Sequence, residues 1–201
     1  MLTLHADARG RALAVEGAWI VAAGPLDELA AARPGARLRR WPGILTPGLV
    51  NPYGNELLEE AYHPDPREAG ELGTEPLTGE ALAALALDET RRGASARRGV
   101  QRMLAHGTVA VACEELRSRA VRDAVHRSGI AVVGRTGRPG GTPSLDPYAC
   151  GLPVTFAPPR ERGSAARFAV FDVPDEAALA ARGAAACVAT VVEGRLVYRR
   201  R

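Results

Sequence analysis

The chain has 201 residues, 46% of them hydrophobic, 24% charged and 4% aromatic, with a formal charge of +3; apart from its His residues, its cationic side chains are all Arg. This length holds one domain with a sizeable core, or one domain and a small companion. It does not hold a complete eight-stranded α/β barrel of about 250 residues with a further domain appended. The Arg residues fall in short scattered groups (Arg37, Arg39 and Arg40; Arg91 and Arg92; Arg97 and Arg98; Arg199 to Arg201) among acids and few aromatics, which argues against nucleic-acid binding. Cys113, Cys150 and Cys187 are odd in number and lack CxxC spacing, so neither a disulfide framework nor a zinc ribbon is expected. No basic-then-apolar leader opens the chain, and no run approaches the ~20 apolar residues of a membrane span. A cytoplasmic protein without a membrane or nucleic-acid partner is expected.

The first segment reads as β. Leu2 and Leu4, then Leu13 and Val15, alternate with polar residues, and Gly17 marks a turn into Trp19 to Gly24, a hairpin pattern. Pro25 to Ala30 opens a short helix, with Asp27 and Glu28 beside its positive end. Arg37 to Pro42 suits an edge strand. Ile44 to Val50 is an apolar run broken by Pro47 and Gly48, which reads as a buried parallel strand entered by a tight turn. Residues 51–77 are rich in Pro and Gly and read mostly as loop.

A helical pattern runs from Thr78 to His106, with Gly93 or Gly99 as the expected break and Gly107 as its stop. Thr108 to Cys113 is a fully apolar strand, Glu114 to Ser128 an amphipathic helix closed by Gly129, and Ile130 to Gly134 the next strand. This order is a βαβ unit. Residues 137–165 show little periodicity and read as a flexible Gly/Pro-rich connection. The chain then returns to β at Phe168 to Val173, passes a short helix at Pro174 to Arg182, and closes with a hairpin around Glu193-Gly194.

Four passages carry a family resemblance: AVEGAWIVAAGPLDEL (14–29), GILTPGLVNPYGN (43–55), MLAHGTVAVA (103–112), and ARFAVFDV (166–173) with VVEGRLVYRR (191–200). In this order they resemble the amidohydrolase superfamily, most closely its imidazolonepropionase and aminodeoxyfutalosine deaminase branch. The likeness implies an α/β fold: a small discontinuous composite β domain from residues 1–45 and 166–201, and an α/β barrel segment at 46–136. At roughly 30 residues per βα repeat, that segment accommodates about three strands, a truncated barrel. In relatives the first barrel strand ends in a His-x-His pair that holds the catalytic metal. Here the matching positions read Asn51-Pro52-Tyr53-Gly54-Asn55, and amides do not replace imidazoles as zinc ligands. The ancestral zinc is therefore expected to be lost, and no other cofactor is implied.

The expected mouth lies at the carboxyl ends of the barrel strands. Asn51, Tyr53, Asn55 and Glu115 are its candidate ligand contacts, and Cys113 and Glu114 its candidate nucleophile and acid–base group. His63 and Asp65 are the remaining metal candidates, whereas His106 suits a helix C-terminus and His126 a polar helix face. Gly134 to Gly141, with Arg135 and Arg138, could cradle a phosphate, but no Gly-Lys-Ser/Thr follows, and a flexible loop is the simpler reading. Two functions remain. One is a degenerate, metal-free amidohydrolase-like protein that is accessory to an enzyme, self-associating as a homo-oligomer, or binds a small molecule. The other is a hydrolase or deaminase of non-peptide C–N bonds in a small cyclic amidine, imidazolone or nucleoside.

Overall fold

A computed structural model describes residues 1–158 and 161–200. Residues 159 and 160 of the expected connection, and Arg201 of the terminal Arg group, lie outside the described residues. The chain is mixed α/β, with three four-stranded sheets among the described residues.

The first sheet is built from β1 (Leu2–Ala6), β2 (Arg11–Glu16), β3 (Trp19–Pro25) and, after helix α1 (Leu26–Ala32), β4 (Arg37–Arg40). Its order is β3-β2-β1-β4, with β1 and β4 parallel and the other pairs antiparallel. β4 occupies an edge, as its charges predict. Period-two alternation splits the sheet between two cores. Leu4, Ala6, Ala12 and Ala14 face α1 through Leu26 and Leu29, while Leu13, Val15 and Ile20 face the second sheet.

The run from Ile44 to Val50 is two strands rather than one. β5 (Ile44–Thr46) pairs with the returning chain, and β6 (Leu49–Asn51) starts the third sheet. Pro47 carries no N–H to continue a ladder. Gly48 sits at φ +81 against the Val109 side chain, where a Cβ would lie 2.7 Å from two methyl carbons. The chain thus switches sheets in two residues.

Helix α2 (Gly54–Leu58), a 3-10 turn (Pro66–Glu68) and helix α3 (Ala69–Leu72) follow, so residues 51–77 hold more structure than their Pro and Gly content suggests. The long helical pattern is broken at residues 84–88, between α4 (Gly79–Ala83) and α5 (Glu89–Ala105), not at a glycine. Asp88 caps α5 by accepting from the Arg91 N–H at 2.7 Å, a favourable start. Gly93 and Gly99 stay helical because neighbours press on them. A Cβ would meet Ala120 at 3.1 Å in the first case and the His63 ring at 2.7 Å in the second.

β7 (Thr108–Cys113), α6 (Arg119–Ser128) and β8 (Ala131–Gly134) complete the βαβ unit. α6 begins at Arg119 rather than Glu114, since Ser118 accepts from the Val121 N–H and fixes the start there. The 137–165 segment contributes β9 (Thr155–Phe156), antiparallel to β6. The third sheet runs β8-β7-β6-β9, with β6, β7 and β8 parallel. α5 and α6 cover it through Val100, Met103, Val121 and Val125.

The chain ends in β10 (Phe168–Phe171), α7 (Glu176–Arg182), β11 (Cys187–Val192) and β12 (Arg195–Arg199). The second sheet is β12-β11-β10-β5, antiparallel throughout. β10 is buried on both faces: Phe168 and Val170 meet the first sheet, and Phe171 faces α7. Arg9, in the first hairpin, bonds Glu176 at the start of α7 at 2.8 Å, so the two chain ends are joined in space. Thr190 donates to the Leu104 carbonyl at 2.6 Å, seating the end of α5 on the second sheet.

Candidate functional site

The parallel strands β6, β7 and β8 end at Asn51, Cys113 and Gly134, and their carboxyl ends open on a common cleft. Asn51 is fully buried. Its amide oxygen accepts from the Tyr53 N–H at 2.9 Å, and its Nδ2 donates to the Ser144 carbonyl at 2.9 Å. Tyr53 donates its hydroxyl to the Gly140 carbonyl at 2.6 Å; burial pushes its pKa above the ordinary phenol value, so it stays a donor. Asn55 accepts from the Glu114 N–H at 2.8 Å and bonds the Glu115 carbonyl at 3.4 Å. These amides close the ends of β6 and β7 against each other.

At the centre stands Arg135, the residue after β8. Its own N–H donates to the Cys113 carbonyl at 3.0 Å, which aims the side chain across the strand ends. The guanidinium donates to the Pro52 carbonyl at 2.9 Å, to Asn55 at 3.2 Å, and to both Glu56 oxygens at 2.8 and 3.0 Å. The Arg135 and Glu56 side chains are only 12% and 5% exposed. Arg138 approaches Glu56 at 3.3 Å and also pairs with Glu60. Desolvating two charges is costly, and only mutual attraction with further hydrogen bonds offsets it; this pair has both. Sequence reading took Arg135 as part of a phosphate loop or flexible loop. Its inward role follows from the turn after β8, for which the sequence offers only the position one residue beyond a strand end. Gly141 serves close packing instead: an added Cβ would fall 2.8 Å from the Tyr53 hydroxyl.

Cys113 lies buried beneath Gly54, where an added Cβ would come within 2.1 Å of Sγ. Burial pushes the thiol up to about 11. It therefore stays protonated, and no histidine or carboxylate accepts its proton among the described residues. Glu114 and Glu115 are exposed, and their carboxylates have no hydrogen-bond or ion-pair partner among the described residues. Together with Glu59, Glu60, Arg117 and Arg138 they line an open cleft of about 580 Å³ beside the ion pair. Of the expected residues, Asn55, Glu114 and Glu115 line the cleft together with Arg135 and Glu56, while Asn51, Tyr53 and Cys113 lie buried behind it.

His63 and Asp65 lie elsewhere and turn apart. The His63 ring is buried beneath Gly99 and donates Nε2–H to the Leu57 carbonyl at 2.8 Å. Burial holds its pKa below the usual histidine range. Asp65 caps the 3-10 turn and pairs with Arg98. His106 donates Nδ1–H to the Arg102 carbonyl at 2.9 Å at the end of α5, and His126 is exposed. No group of three or more His, Cys, Asp and Glu side chains suited to a metal ion forms among the described residues. No described helix is long and apolar enough to cross a membrane.

No family model matches the sequence, and no curated protein does. Three solved structures are similar to it at low identity and coverage. Guanine deaminase from Bradyrhizobium japonicum is 19% identical with a TM-score of 0.41, over 65% of this chain and 28% of that one. Ochratoxinase from A. niger is 16% identical with a TM-score of 0.45, over 66% and 31%. A zinc-bound adenosine deaminase from Xanthomonas campestris is 20% identical with a TM-score of 0.38, over 62% and 28%. The chain spans about three-tenths of the length of these proteins.

Proposed function

We propose that this chain is a metal-free, non-hydrolytic relative of the amidohydrolases that acts by binding, whether to a small molecule, to an enzyme it accompanies or to itself. On this reading residues 1–45 and 166–201 form the composite β domain, 46–136 the barrel remnant and 137–165 the connection between them. The observation that carries it is the Arg135–Glu56 ion pair across the carboxyl ends of the parallel strands. A tethered guanidinium occupies the mouth and takes the most buried carboxylate for itself. The neighbouring donors are the amides of Asn51 and Asn55, already committed to main-chain partners. That set does not fit zinc, which takes imidazole, thiolate and carboxylate ligands, and a divalent cation there would meet the positive charge of Arg135.

The adjoining cleft suits a small polar molecule. Glu114 and Glu115 offer free carboxylates to a cationic group, with Asn51, Tyr53 and Asn55 shaping the wall behind. The test is ammonia release from purines, imidazolones and cyclic amidines by the purified chain, with and without added zinc. No turnover above the buffer rate is expected. Turnover abolished by Glu114→Gln would overturn this reading in favour of a hydrolase of non-peptide C–N bonds. Ligands that bind without turnover would raise the melting temperature by mass action.

A further inference from the structure

We infer that two copies of this chain join edge to edge through β8, antiparallel, about a two-fold axis. The inference stands on the open sheet edge; its charge argument shares Glu114 and Glu115 with the cleft, so the backbone test at Val132 is the one that a metal or a turnover at the mouth leaves intact.

The third sheet has two edges of different kinds. β9 covers the β6 side, whereas β8 has a strand neighbour only in β7 among the described residues. Because Arg135 N–H points to β7, alternation turns Val133 and Ala131 the same way. It leaves the N–H and C=O of Val132 and Gly134 facing outward. The strand reads Ala-Val-Val-Gly, without the charge or proline that protects natural edges. Val132 and Val133 point to opposite faces and are 55% and 46% exposed, so both faces of the edge gain from being covered.

A groove of about 660 Å³ runs beside the strand over Leu116, Val125, Ile130 and Val132. The Glu114–Glu115 end also holds Arg122, bonded to the Leu116 and Arg117 carbonyls, and the far end the Arg167–Glu193 pair, so the two ends carry net charges of opposite sign. Glu114 and Glu115 follow Cys113, which is level with Gly134 at the carboxyl end of β8. Arg195 sits at the other end, its Nη2 3.0 Å from where a Cβ on Gly129 would lie, just before β8 begins. None of the three side chains has an ion-pair partner among the described residues. Antiparallel pairing lays the carboxyl end of one strand beside the amino end of the other. It sets Glu114 and Glu115 of each copy toward Arg195 of the second copy, twice over. Parallel pairing would set like charge on like. The surface is therefore self-complementary only in the antiparallel arrangement.

The test is mass by light scattering after size exclusion, across a concentration series. The wild-type chain is expected to run at twice its monomer mass. Val132→Pro removes an outward N–H without touching the β7 ladder and should give a monomer; Val132→Lys serves if that variant does not fold. Arg195→Glu should weaken the dimer by about tenfold or more, and combining it with Glu114→Arg and Glu115→Arg should restore it. A wild-type monomer at the highest soluble concentration would overturn the inference. So would a dimer indifferent to the folded Val132 variant, or one that the combined charge exchange fails to restore.

Discussion

Arg135 and Glu56 hold one another in a place where neither would be tolerated alone. Breaking a buried pair by removing one partner strands the other charge, at a cost of about 3–5 kcal/mol. Arg135→Met is therefore expected to lower stability by that order in urea unfolding. Adding Glu56→Gln should recover part of the loss, because the stranded carboxylate is gone; a strictly additive double variant would show that the two do not act as a unit. A second buried polar residue sets the acid limit. His5 is 4% exposed, accepts from Trp41 Nε1 at 3.2 Å and packs edge-on against Phe168. Burial, and then nearby Arg39, lower its pKa to about 4. The unfolded chain binds the proton first, near the ordinary value of about 6.5. Stability is thus full above about 6.5 and falls as the pH drops toward 4, by up to about 3 kcal/mol from this residue. The carboxylate of Glu176, held near 2 by its hydrogen bonds with Arg9, adds to the loss only below its ordinary range. Unfolding free energies measured from pH 7 to pH 4 should show the decline, and His5→Gln should make it shallower, leaving the share due to buried His63.

At the scale of elements, α5 shows how local preference yields to packing. An isolated pattern with Gly93 and Gly99 invites a break, since glycine in a helix costs about 1 kcal/mol relative to alanine. The helix continues because its glycine face lies against His63 and Ala120, contacts between distant parts of the sequence. Gly99→Ala, which would stabilise a free helix, is expected to destabilise this one by about 1–3 kcal/mol, read from a thermal or urea melt. The break fell instead where Asp88 could cap, and α6 started where Ser118 could; both caps were visible residues, outweighed by a longer apolar periodicity. The run at 44–50 was misread for a related reason. Its apolar residues serve two sheets, and hydropathy alone does not say which partner a strand will take.

Across the whole molecule, what could be read from the sequence was what depends on neighbours in the chain: the two hairpins, the βαβ order, the helix stops at Gly107 and Gly129. Asn51, Tyr53 and Asn55 were legible as residues at a strand's carboxyl end, because their place follows from β6. The plug itself was not legible. Glu56 and Arg135 lie 79 positions apart, and only the parallel packing of β6, β7 and β8 brings them together. The short β9 was equally hidden, since two residues at Thr155–Phe156 leave no period to detect. The central claim is that a protein guanidinium, not a metal ion, neutralises the mouth. Elemental analysis of the full chain, purified after growth with supplemented zinc, tests it most directly. The account predicts no stoichiometric zinc in the wild-type chain. One equivalent of zinc per chain, displaced when Glu56 or Asn51 is changed to Ala, would contradict it.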